Sequence, residues 1–162
     1  MTTVERADLL ETLTRHRGFL RYTTRGLSDE QAAMCTTRSE LCLGGLVKHV
    51  TAVEDRWMRF AVGGAEAMEA ESLDWANGFR MVEGETLEGL LDVYAEVARR
   101  TDELVGTLDF DVSHPLPVAP WFEPGARWSV RRTLLHVIAE TAQHAGHADI
   151  LRESLDGQKT MG

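Results

Sequence analysis

Apolar residues recur at steps of three and four along four long stretches of the chain, and period-two alternation bounded by turn residues is hard to find. This spacing predicts an all-α protein. The first helix is expected from Val4 to Arg25, with Leu9, Leu10, Leu13 and Leu20 on its apolar face and Gly26 and Ser28 ending it. Ser28-Asp29-Glu30-Gln31 then reads as the start of a short helical turn. A second long helix is expected to begin between Leu43 and Gly45 and to reach Val62, where Gly63-Gly64 stops it. Its stripe of Leu46, His49, Val53, Arg56 and Phe60 sets His49 among core-facing neighbours.

Between Ala65 and Glu85 the periodicity dissolves, which predicts a connecting crossover with at most short helical pieces. Thr86 is placed to cap a third helix carrying Leu87, Leu90, Leu91, Tyr94, Val97, Ala98 and Leu104, although Gly89 denies it the reciprocal Glu of a full capping box. The segment from Leu108 to Trp128 holds all four prolines and is expected to be irregular. Its Trp121, Phe122 and Trp128 suit either an apolar wall of a site or packing of a long loop on the bundle. Ser129 is a good N-cap for the last helix, expected to run to Leu155 and close at Gly157. Four long helices joined by two lengthy connections describe a four-helix bundle, a fold that builds ligand and metal sites from side chains on facing helices.

The last helix carries the most informative pattern. At about 100° per residue and with Glu140 as zero, His136 falls near −40°, His144 near +40° and His147 near −20°. Three imidazoles and a carboxylate sharing one direction are costly to bury without a cation or a proton network between them. Glu140 and His144 stand one turn apart and together suit one cation, with a third ligand needed from another helix. The same spacing also serves ordinary hydrogen-bonded Glu/His pairs, so the second helix has to supply the partner. His49, the only histidine there, is the candidate. Arg56 follows it by seven residues and points nearly the same way, either toward a substrate carboxylate or into a salt bridge with a neighbouring helix.

Composition narrows the reading. The 162 residues, 43% of them hydrophobic, suffice for one domain with a core of its own. A formal charge of −9 argues against nucleic acid as the main partner. No run of eighteen apolar residues occurs and the first ten residues show no apolar signal stretch, so no membrane partner and a cytoplasmic location are expected. Cys35 and Cys42, seven residues apart, match no metal knuckle and are expected to be free thiols.

The stretch Leu134-Leu135-His136, Glu140 and His144-Ala145-Gly146-His147-Ala148-Asp149, taken with Gly45-Leu46-Val47-Lys48-His49-Val50 and Trp57, resembles the DinB superfamily over almost the whole chain. The resemblance implies a four-helix bundle with long crossover connections, often dimeric, with a metal held by His49, Glu140 and His144. Glutamate at 140, where many members have histidine, is similar to the mycothiol-dependent maleylpyruvate isomerase branch. The expected activity is that of a metal-dependent enzyme, with zinc as the candidate ion and mycothiol or a related thiol as cosubstrate, acting as an S-transferase or isomerase on a small electrophile. His147, where many relatives carry glutamine, is the candidate acid/base or supporting donor, with a fourth metal ligand as the alternative. His136 is expected to be a buried neighbour. A metal-dependent hydrolase and a non-catalytic metal-binding bundle stay open as alternatives.

Overall fold

The computed structural model describes residues 3–160. In chain order it contains α1 (Thr3–Thr23), α2 (Asp29–Ala33), α3 (Leu43–Glu69), α4 (Leu87–Thr107), β1 (Ser113–Pro115), β2 (Arg127–Ser129) and α5 (Val130–Asp156). The four long helices form a ring in which α5 packs on α1 and α3, α4 packs on α3, and α4 closes on α1. This is the expected all-α bundle.

Local chemistry sets the helix ends. Ser28 and Gln31 exchange side-chain and backbone bonds in a capping box at α2. The Thr86 hydroxyl accepts from Gly89 N at 3.1 Å, and the Ser129 hydroxyl from Arg132 N at 3.1 Å. Gly157 closes α5 in the left-handed conformation at φ 78°. At Gly63-Gly64 the outcome differs from the expected stop. Gly64 adopts φ 73°, ψ −159° and breaks the helix direction, but the helix formers Ala65 to Glu69 resume it. The break makes room for His114, whose ring lies where a side chain at 64 would begin.

The proline-rich segment, expected to be irregular, contains a small antiparallel pair with His114 opposite Trp128. Three-residue strands are too short to leave a period-two signature in the sequence. Trp128 stacks on Trp57 at 4.8 Å, lies under the Arg132 guanidinium at 4.3 Å and meets Phe122 edge-on at 5.9 Å. The group packs the loop on the bundle and, through Trp128 against His136 at 5.1 Å, also walls the polar stripe of α5. Trp121, 71% exposed, sits at its margin and meets Phe122 edge-on at 6.2 Å.

The apolar core has two parts. One gathers Leu13, Trp57, Phe60, Val105, Phe110, Leu134 and Val137, the other Leu20, Leu46, Val47, Val50, Tyr94, Ala148 and Leu151. On each helix a buried polar residue falls between them: Arg17, Glu54, Thr101 and Thr141. Glu54 is fully buried and accepts both a 3.1 Å bond from Arg17 Nε and a second bond from Arg17 Nη2. Arg17 also reaches Asp102 of α4 at 2.8 Å. A carboxylate removed from water is tolerable only with such pairing. Replacing Arg17 alone with Met should therefore lower stability by about 3–5 kcal/mol in urea denaturation, whereas Arg17→Met combined with Glu54→Leu should recover most of the loss.

Candidate metal centre

α3 and α5 lie side by side, so the stripe read from the last helix faces the His49 stripe of α3. One ligand atom from each of His49, Glu140 and His144 lies within 4.8 Å of the other two, a grouping that could hold a metal ion. His144 is buried, while His49 and Glu140 are half-buried and leave one side of the cluster open. Glu140 Oε2 is 3.5 Å from His144 Nε2, and the His49 and His144 rings meet edge-on at 4.7 Å. Two imidazoles and one carboxylate with an open side make a donor set suited to a borderline divalent cation.

The protonation states fit that use. Burial holds His49 down at about 4, assisted by His144 and opposed by the charge of Glu140. Its imidazole is therefore neutral at physiological pH. Glu140 is held below the usual carboxylate range by its bond with His144, against burial, which pushes it up. It is ionised, so the neutral His49 ring and this carboxylate both offer lone pairs to a cation.

The other two stripe residues flank the trio. His136 Nε2 lies 3.6 Å from the second oxygen of Glu140, and its ring rests edge-on against Trp57 at 4.8 Å and Trp128 at 5.1 Å. Burial lowers its pKa, Glu140 opposes that shift and Arg132 adds to it. His147 Nδ1 lies 3.3 Å from His144 Nδ1. Each helix-α5 member of the trio thus has a histidine behind it, His136 for Glu140 and His147 for His144.

Arg56 is placed elsewhere. Its Nη1 donates to the carbonyls of Met68 at 3.2 Å and Glu71 at 3.5 Å, beyond the Gly64 break. The adjoining cavity of about 250 Å³ is also lined by Asp55, Glu71 and Asp74 together with Arg59, which pairs with Asp55 and Glu71 at 2.8 Å each. In this arrangement Arg56 caps carbonyls, and among the described residues it forms no salt bridge with a neighbouring helix. Cys35 and Cys42 are free thiols, as expected, and stand apart from the trio.

Two residues escaped the sequence reading, Phe79 beside the trio and Glu54 in the buried polar layer. Phe79, from the aperiodic crossover, stacks on His49 with ring centroids 3.8 Å apart and planes at 21°. Glu54 had a signal, since it lies on the α3 stripe four residues after Val50 and three before Trp57. No helix among the described residues is long and apolar enough to cross a membrane.

The family model described as Mycothiol-S-transferase matches residues 8–157. Among solved structures, the crystal structure of the conserved protein of locus from Enterococcus faecalis superimposes with a TM-score of 0.70 at 16% identity. The match covers 98% of this chain and 99% of that one, and it shows a shared fold. No curated protein matches the chain.

The depressed pKa of His49 makes the metal-free fold acid-sensitive. Below about 6.5 the unfolded chain takes up a proton at this residue that the folded protein refuses until about pH 4, so stability is fully present above 6.5 and is lost as pH falls through that window. An NMR titration of the His49 ring in metal-free protein should give a midpoint near 4. A midpoint at the ordinary histidine value would contradict the burial argument.

Proposed function

Because the chain belongs to the mycothiol S-transferase family, a DinB-like family, we propose that it is a metal-dependent enzyme joining a low-molecular-weight thiol of the mycothiol type to a small electrophile. The observation that carries the metal arm is the convergence of His49, Glu140 and His144 from two helices on one point, with the imidazole of His49 neutral and the carboxylate ionised. The thiol arm rests on the family. We assign His49, Glu140 and His144 as the residues that hold the cation, with zinc the ion the donor set favours. A divalent cation bound by these residues would supply the charge that lowers the pKa of a thiol and favours its thiolate form.

The chain's own residues do the rest. With a cation held by the trio, His144 would present Nε2 to it in place of the Glu140 contact and would carry its proton on Nδ1, 3.3 Å from His147 Nδ1. His147 therefore acts through His144, fixing its tautomer and accepting proton density as the charge of the site changes. His136 fixes the plane of the Glu140 carboxylate from the side away from His144. The open side of the cluster admits the thiol and its electrophile, and the stacked aromatic residues at Trp57 and Trp128 exclude water behind His136.

Protein purified without chelators should contain about one equivalent of zinc or a similar ion per chain and should conjugate mycothiol to a small electrophile. In His49→Ala both the metal and the conjugation should fall by more than about a hundredfold, with the helical signal retained. Metal-free wild-type protein that conjugates at the full rate would overturn the reading. Turnover of an ester with no thiol added would point instead to hydrolysis.

His147→Gln should retain the metal, since glutamine can still bond to His144, while flattening the pH dependence of kcat. Loss of the metal in that variant would make His147 a ligand.

A further inference from the structure

Among the described residues, both α5 members of the trio have a polar partner behind them, but His49 has none: neither of its ring nitrogens hydrogen-bonds to a protein group, and the rings it packs against are those of Phe79 and His144. A metal-binding histidine ordinarily has its ring orientation fixed by a carboxylate, carbonyl or water on its second nitrogen. Here the nearest orienting contact is a face. Phe79 lies almost parallel to the imidazole at 3.8 Å and its centroid is 6.0 Å from that of His144, while 39% of the residue stays exposed.

The chain invests several features in keeping Phe79 there. A Cβ at Gly45 would overlap the Phe79 carbonyl, and one at Gly44 would overlap the Met81 side chain, so the two glycines form a notch in the first turn of α3 that the crossover fills. The buried Cys42 thiol lies 3.8 Å from the Phe79 carbonyl while accepting from Gly45 N. Lys48, the residue before His49, reaches the Arg80 carbonyl at 3.4 Å and pairs with Glu85 at 2.7 Å. A surface aromatic with no task would not need its backbone seated this closely on the helix that carries a candidate ligand.

We propose that Phe79 is a positioning residue of the metal centre, holding the His49 imidazole by its face in the orientation that converges on Glu140 and His144, with Gly44, Gly45 and Lys48 anchoring the segment that presents it. The inference rests on the assignment of His49, Glu140 and His144 as metal ligands. It adds a residue from the crossover to a site otherwise built from two helices. A phenyl face offers no proton to exchange, so it fixes the ring plane while leaving the second nitrogen of His49 to solvent or substrate.

The test is zinc affinity of the full chain, measured by competition with a chromophoric chelator, for wild type, Phe79→Ala, Phe79→Leu and Phe79→Tyr. Phe79→Ala should bind about tenfold or more weakly, Phe79→Leu should fall between, and Phe79→Tyr, which keeps the face, should match wild type. In the metal-free protein the His49 ring protons should move downfield in Phe79→Ala as the overlying ring current is removed, and stay put in Phe79→Tyr. A merely structural role would instead lower the melting temperature of the metal-free variant and leave zinc affinity unchanged. Wild type that binds zinc while Phe79→Ala binds it equally well overturns the assignment of Phe79 alone. Wild type that binds no zinc overturns the metal reading and this inference with it.

Discussion

The bundle is organised around one carboxylate that has no access to water. Glu54 is fully buried on α3, and its two oxygens are satisfied by the guanidinium of Arg17 on α1. Leaving that carboxylate unpaired would cost about 3–5 kcal/mol, a large share of a domain's net stability, so sliding α1 up or down against α3 is strongly disfavoured. Because Arg17 also reaches Asp102, the same pair sets the height of α4. Such pairs add little net stability compared with apolar replacements. What this one contributes is register.

Register is what the candidate metal centre requires. His49 stands five residues before Glu54 on α3, and Thr141, the α5 member of the buried polar layer, directly follows Glu140. The level at which the apolar core is interrupted is therefore the level at which α3 and α5 bring their ligands together. Polar side chains in the middle of a bundle weaken the core locally, and their placement next to the site confines that weakness to the place where partly solvated side chains are needed anyway. The three candidate ligands are then held by three different kinds of contact: an imidazole behind Glu140, an imidazole behind His144 and an aromatic face on His49.

Much of this was legible in the sequence, for reasons that differ from residue to residue. The α5 stripe is a local pattern, since helical geometry alone brings residues 136, 140, 144 and 147 to one side. His49 is legible because a histidine on an otherwise apolar stripe of a second helix has few places to go but inward. The caps at Ser28, Thr86 and Ser129 are legible because they act within three residues of their own helix. Phe79 is different: its position depends on a notch at Gly44-Gly45 some thirty-five residues earlier, and no periodicity links a loop aromatic to two glycines on a helix. The surroundings of Arg56 are distant in the same way: the chain after Gly64 places two carbonyls in reach of its guanidinium, and Gly64 itself lies against His114, fifty residues downstream.

The choice of glutamate at 140 has a consequence for the charge of the site that follows from its neighbours. Three imidazoles would leave the full charge of a divalent cation in a half-buried cluster, whereas one carboxylate reduces it to about +1. A single thiolate arriving from solvent would then bring the cluster close to neutral, the condition under which desolvating it costs least. That balance depends on Glu140 staying ionised and His49 staying neutral. Both are secured before any cation arrives, the first by the bond with His144 and the second by burial. His136 also tends toward its neutral form, so it contributes shape rather than charge to the carboxylate it touches. The charges of the trio thus match one cation and one anionic sulfur, the combination that the proposed function requires.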